Sequence, residues 1–232
     1  ASVLKHITIE GVRNLAHTQV ALPVGATVLF GANGSGKTSF LEAIHLLAVG
    51  RSFRTHQSKP LIQHGMTHCR VVGEVQRGGR ATVMGLEKHR DGAVRARIGG
   101  ENVASLSGLA LHLPLVLLDT EGLGIVTGPP EGRRRLLDGI LFHVERGFLS
   151  RWKRYALAVR QRNSGLRRGI LGSDGAWRQE IAETGTLLTQ QRQAVADKLS
   201  GELARLAPVL SDDLAGLEVV FRAGWDQKLS LF

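Results

Sequence analysis

Val28-Leu29-Phe30-Gly31-Ala32-Asn33-Gly34-Ser35-Gly36-Lys37-Thr38-Ser39 is the stretch from which the fold is read. It reads as a buried apolar strand, a glycine-rich turn and a helix starting near Lys37. Every fixed position of G-x-x-x-x-G-K-[ST] is filled. Three glycines let the backbone curl until successive N–H groups point into one hollow. That hollow lies at a helix N-terminus, where unpaired N–H groups and the helix dipole favour anions. Lys37 is the point charge expected on terminal phosphates, and the Thr38 hydroxyl is the expected ligand for Mg²⁺. Gly31, Ala32, Asn33, Gly34, Ser35, Gly36, Lys37, Thr38 and Ser39 are therefore the candidate nucleotide-binding residues, with Thr38 as the metal contact.

The flanks agree. Phe40, Leu41, Ile44, Leu47 and Ala48 recur at helical spacing, and Gly50 can end the helix. Gly31 to Thr38 followed by Phe40-Leu41-Glu42-Ala43-Ile44 resembles the ABC-type ATPases of the SMC-like group. The continuation Gly50-Arg51-Ser52-Phe53-Arg54-Thr55 resembles, within that group, the RecF family of bacterial DNA replication and repair proteins.

Composition bounds the partners. The chain has 232 residues, 43% hydrophobic, enough for a sizeable core in one domain or two lobes. Thirty Lys and Arg against twenty Asp and Glu give a formal net charge of +10 and a pI near 10.8. That balance points to an anionic partner, nucleic acid or membrane surface. Cys69 is the single cysteine, which excludes an intrachain disulfide and fits a reducing cytoplasm. Leu109 to Leu118, the most apolar run, is broken by His112 and Pro114 and is too short to span a bilayer. No membrane role is expected.

Residues 3–9, 16–22 and 26–30 read as strands. Residues 70–98 read as an antiparallel meander with turns at Gly78-Gly79 and Asp91-Gly92, closed by Gly99-Gly100. His64, His68 and Cys69 have a superficial metal spacing, but Gly65 breaks the helix that it would need. Leu115-Val116-Leu117-Leu118-Asp119-Thr120-Glu121 looks like a Walker B strand ending in an acid. Against that, Thr120 separates the two acids. The following Glu121-Gly122-Leu123 and Gly128-Pro129-Pro130-Glu131-Gly132-Arg133-Arg134-Arg135-Leu136-Leu137-Asp138 resemble the junction where the family's nucleotide lobe meets its helical lobe. The roles of Asp119 and Glu121 stay open.

Residues 131–207 read as helices, the last from about Gly175 and stopped by Pro208. Between Arg146 and Arg178 lie nine basic residues, Arg146, Arg151, Lys153, Arg154, Arg160, Arg162, Arg167, Arg168 and Arg178, with Trp152 and Tyr155 interleaved. Such a stripe can neutralise several phosphates, and without a base-reading motif it would bind the backbone. A solvated helix face is the alternative. Residues 216–224 read as a returning strand.

The expected fold class is α/β, an ABC-type P-loop ATPase lobe with an antiparallel β meander plus a helical lobe. Residues 1–128 would form the ATP-binding lobe, 129–215 the helical lobe and 216–232 a strand returning to the first. The resemblance implies a cytoplasmic, ATP- and Mg-binding protein of recombinational repair and replication restart. It also implies an ATP-induced homodimer on duplex DNA near single-stranded gaps, with a RecR-like mediator as partner. In the family the Arg13-Asn14 turn lies near the nucleotide base; the other reading is a solvated turn. A P-loop small-molecule kinase is the alternative function, and a nucleotide-independent DNA-binding module a third. No catalytic residue is assigned, because neither the ABC signature segment nor a Walker B strand is found after residue 208. The expectation is nucleotide binding with little hydrolysis; a steady-state turnover equal to that of an intact ABC ATPase would contradict it.

Overall fold

A computed structural model describes residues 2–55, 57–118, 122, 124–169 and 175–225. The chain divides into two compact units, Ala1–Leu118 and Asp119–Phe232.

The first unit is built on six antiparallel strands. They are β1 (Ser2–Val12), β2 (Leu15–Ala21), β3 (His68–Arg77), β4 (Arg80–His89), β5 (Val94–Ile98) and β6 (Glu101–Asn102), in the order β2-β1-β3-β4-β5-β6. The meander of residues 70–98 is thus present. Its two-residue turn Gly78-Gly79 takes φ of 55 and 83, a conformation that glycine adopts at no steric cost.

Alternation sorts the sheet into two faces. Ile7, Ile9, Val71, Val75, Met84 and Leu86 point into the core. Helix α1 (Lys37–Val49) meets them with Phe40, Ala43, Leu46 and Leu47. Gly73 allows the approach: a Cβ there would lie 2.5 Å from Leu47 Cδ2. On the other face His17, Glu10, Arg70, Glu87 and Arg95 stand directly opposite one another across five strands. Arg70 reaches Glu10 at 2.7 Å. A short helix, α2 (Ser107–His112), adds Leu109 to the core.

Two expected strands are absent among the described residues. Residues 26–30 run irregularly into the glycine turn, with Val28 79% and Phe30 91% exposed rather than buried. Residues 217–223 likewise carry no strand. An apolar, β-branched run favours extended backbone, but a strand also needs a neighbour to accept its hydrogen bonds, and among the described residues the only pairing of β1 to β6 outside their own sheet is a single bridge from Val12 to Ile62. Residues 114–118 are also irregular, and the proposed acidic end, Asp119, Thr120 and Glu121, lies outside the described residues.

The second unit is helical. It contains α3 (Gly124–Thr127), α4 (Pro130–Val144), α5 (Phe148–Arg167) and α6 (Gly175–Leu210), then a single 3₁₀ turn at Asp212–Leu214. Pro130 occupies the first turn of α4, where its missing N–H costs nothing. Arg133 Nη1 donates to the Ile125 and Gly128 carbonyls at 3.0 and 2.9 Å, tying that turn to α3. Pro208 sits in the last turn of α6, so the helix ends at Leu210, three residues later than expected. The cap at Ser173-Asp174 lies outside the described residues. Leu141, Phe148 and Leu188 form the seam between α4, α5 and α6, and Arg192 grips Asp138 at 2.7 and 2.9 Å.

Replacing Leu47, fully buried between α1 and the sheet, by Ala should cost about 2–5 kcal/mol in urea unfolding. Leu41→Ala, on the same helix at 47% exposure, should cost below about 1 kcal/mol.

Candidate functional site

The glycine turn folds as its composition requires. Gly31, Gly34 and Gly36 take φ of 146, 80 and 101, all in the left-handed half of the map. Gly36 is the N-cap of α1, and no side chain caps that helix. Its first-turn N–H groups are therefore available to an anion, and no acid stands in the turn to repel one. Lys37 Nζ donates to the Gly31 and Ala32 carbonyls at 2.8 and 2.9 Å, which holds the ammonium across the loop. Thr38 is exposed beside it. Ser39 differs from the other eight candidates: it is 6% exposed and its hydroxyl donates to Asn14 Oδ1 at 2.8 Å.

The loop borders an open cavity of about 790 Å³. One side is Asn33 to Ser39; the other is the segment Lys59–His64, with Arg54 and Arg90 completing it. Five cations line it, Arg13, Lys37, Arg54, Lys59 and Arg90, and no described lining residue is Asp or Glu. Its size suits a nucleotide and its charge suits a polyphosphate. No group of described His, Cys, Asp or Glu residues could hold a metal by itself, so His64, His68 and Cys69 form no such site. A cation accompanying the phosphates would instead find the exposed Thr38 hydroxyl.

Behind the loop lies a residue that the sequence did not single out. Glu42 of α1 is fully buried. Arg13 Nε and Nη2 donate to its two oxygens at 2.9 Å each, Ser52 Oγ donates to Oε1, and Arg54 stands 3.6 Å away. Burial pushes this carboxyl up, but the Arg13 and Ser52 hydrogen bonds and the two guanidinium charges outweigh it and hold the group below the ordinary carboxylate range. Arg13 is thus neither a solvated turn residue nor shown facing a base. The signal was present: Ser39, Glu42, Ala43 and Leu46 share one helical face, and an acid on an apolar face needs a buried partner.

In the helical unit α5 presents Lys153, Arg160 and Arg167 at seven-residue intervals, one exposed ridge about 10 Å per step. None of the three is ion-paired among the described residues. Arg154 is paired with Glu180 at 2.7 Å and Arg151 with Glu145 at 3.7 Å, so those two charges are partly spent within the protein. Trp152 is 40% exposed; Tyr155 packs on the inter-helix seam. No helix among the described residues is long and apolar enough to cross a membrane.

Comparisons with known proteins agree with this architecture. Residues 3–206 match the family described as RecF/RecN/SMC N terminal domain. The DNA replication and repair protein RecF of Stutzerimonas stutzeri is 39% identical over 227 residues, 97% of this chain and 61% of that protein. RecF of Pseudomonas putida is 40% identical over 233 residues, 98% of this chain and 63% of that protein. The chain thus spans a little over three fifths of the curated relatives it matches. A solved structure of the recombination mediator protein RecF-ATP in the RecFOR pathway superposes with TM-score 0.81 at 23% identity, over 91% of this chain and 58% of that one. The likeness confirms an α/β fold of the ABC ATPase head type and gives no support to a small-molecule kinase.

The Glu42 pairing predicts a pH dependence. Its folded-state pKa lies below the unfolded value, so its stabilisation is complete above about pH 4.3 and is lost as pH falls through the folded value. Glu42→Gln should lower stability by about 3 kcal/mol at pH 7 and show a shallower acid limb than the unaltered chain in pH-dependent urea titrations.

Proposed function

The chain belongs to the RecF/RecN/SMC N-terminal domain family, and from that premise we propose that it is the ATP-binding, DNA-contacting portion of a recombinational-repair protein. The observation that carries the reading is the loop Gly31–Thr38: three left-handed glycines at an uncapped helix N-terminus, with Lys37 held across them and a cation-lined cavity beyond. In this reading the loop and Lys37 hold the triphosphate of ATP, and the Thr38 hydroxyl holds Mg²⁺, which would neutralise phosphate charge. The remaining cations border the same cavity, with Arg13 and Arg54 sharing their charge with Glu42.

The α5 ridge is the proposed DNA contact. Lys153, Arg160 and Arg167 project from one face with no base-reading motif near them, which favours phosphate contact of low sequence preference. The interleaved arrangement of the family's two lobes, residues 1–128 and 216–232 against 129–215, belongs to the same proposal. So do a cytoplasmic location, ATP-dependent pairing of two subunits on duplex DNA beside a gap, and a RecR-like mediator partner. ATP would act as a switch by binding the paired state more tightly than the single one; a tenfold difference in affinity is worth about 1.4 kcal/mol. Relatives named DNA replication and repair protein RecF support this reading.

Calorimetry with Mg·ATP tests the first half. Lys37→Ala should weaken binding by about a hundredfold, on the order of 3 kcal/mol for a lost charge-assisted phosphate contact. Unchanged affinity would remove the reading, and a Lys37→Ala chain that still pairs and binds DNA normally would favour the nucleotide-independent module. For the second half, Lys153→Gln with Arg160→Gln should reduce the slope of log K for duplex DNA against log salt by about two.

A further inference from the structure

The turn between β1 and β2 is bound more tightly than a solvent-facing turn requires. Arg13 sits at φ 55, the one described non-glycine residue with positive φ. Besides its two bonds to Glu42, Nη1 donates to the Pro60 carbonyl at 2.6 Å, and its backbone N–H donates to the Leu61 carbonyl at 2.8 Å. Arg13 therefore fixes the far wall of the cavity.

Asn14, the next residue, fixes the near one. Its Nδ2 donates to the Gly34 carbonyl at 2.9 Å, inside the phosphate loop. Its Oδ1 accepts from Ser39 Oγ at 2.8 Å, in the first turn of α1. The amide thus spans from the middle of the loop to the helix that follows. Gly36 makes room for it: a Cβ there would lie 3.3 Å from Asn14 Nδ2 and 2.7 Å from Leu15 Cδ2.

We infer that Asn14 is a positioning residue for the phosphate-binding loop, acting through Gly34 and Ser39, rather than a contact for the base or ribose. The chemistry follows from which atoms the amide occupies. A carbonyl oxygen left free in an anion-binding loop would repel a phosphate oxygen. Bonded to Asn14, the Gly34 oxygen is held toward the turn and one of its two lone pairs is engaged. The Gly34 carbonyl, which can only accept, sets which end of Asn14 faces it, and the Ser39 hydroxyl donates to the Oδ1 left on the other side. Without Ser39 the amide keeps its orientation toward Gly34 but loses the bond that ties it to the first turn of α1. Because Arg13 and Asn14 are adjacent, one strained turn sets the spacing between the loop and the Lys59–His64 wall.

This inference rests on the reading of the loop as a triphosphate site, and the experiment separates the two. Calorimetry would measure Mg·ATP and inorganic tripolyphosphate on the unaltered chain, Asn14→Ala, Ser39→Ala and the double variant. Thermal unfolding without ligand would run in parallel. Asn14→Ala should weaken both ligands by the same factor, about tenfold, since only phosphate is common to them. Ser39→Ala should cost about threefold, and the double variant no more than Asn14→Ala alone, because the two side chains act as one unit. A loss for Mg·ATP with tripolyphosphate unaffected would overturn the inference in favour of a nucleoside contact. So would strictly additive losses, or a loss that tracks only a lowered unfolding midpoint. Failure of the unaltered chain to bind either ligand would overturn the triphosphate reading, and this inference with it.

Discussion

A carboxylate with no access to water is the constraint on which the first unit depends. Glu42 is placed on α1 by the same helical period that points Phe40, Ala43 and Leu46 at the sheet. Once buried, it must be paired, because an uncompensated charge in such a place costs several kcal/mol. Arg13 satisfies it with two parallel hydrogen bonds, and only by adopting a backbone conformation that most residues avoid. Ser52 and Arg54 then draw the chain after α1 to the same point. Three segments distant in sequence converge on two oxygen atoms, and the phosphate loop and the cavity wall are both anchored to that convergence.

The sequence made the loop legible because its chemistry leaves few alternatives. Only glycine takes φ of 80 to 146 without strain, and only a lysine directly after them reaches back over the turn. The meander and the start and end of α1 were legible for a related reason, since hairpin glycines and a C-capping Gly50 act locally. The strands at 26–30 and 216–224 were misread because strand formation is decided by a partner elsewhere, and local composition records only the willingness to be extended. Glu42 was overlooked as part of an apolar helical run; the residue that neutralises it lies 29 positions away, in a turn whose sequence shows no such link.

The protein uses its excess of positive charge in two distinct ways. Around the cavity five cations converge on one volume, an arrangement that suits a compact ligand with several negative charges. Along α5 they are strung out in a line, which suits a polymer whose charge repeats. The aromatic neighbours differ accordingly: Tyr155 is consumed by the seam between helices and Trp152 is left partly open. Net charge alone points toward an anionic partner and does not distinguish these two geometries.

The row of side chains from His17 to Arg95 alternates in sign from strand to strand, so at neutral pH its carboxylates and guanidiniums cancel. A small anion diffusing past that row meets no sustained field, whereas among the described residues Arg13 and Arg54 share a single acid, the buried Glu42, and Lys37, Lys59 and Arg90 of the cavity have no acidic partner. If the cavity takes an anion, as proposed, capture would be biased before any contact is made. Such a bias would operate over roughly a Debye length, about 8 Å at physiological ionic strength, and so would govern the last steps of approach rather than the long search.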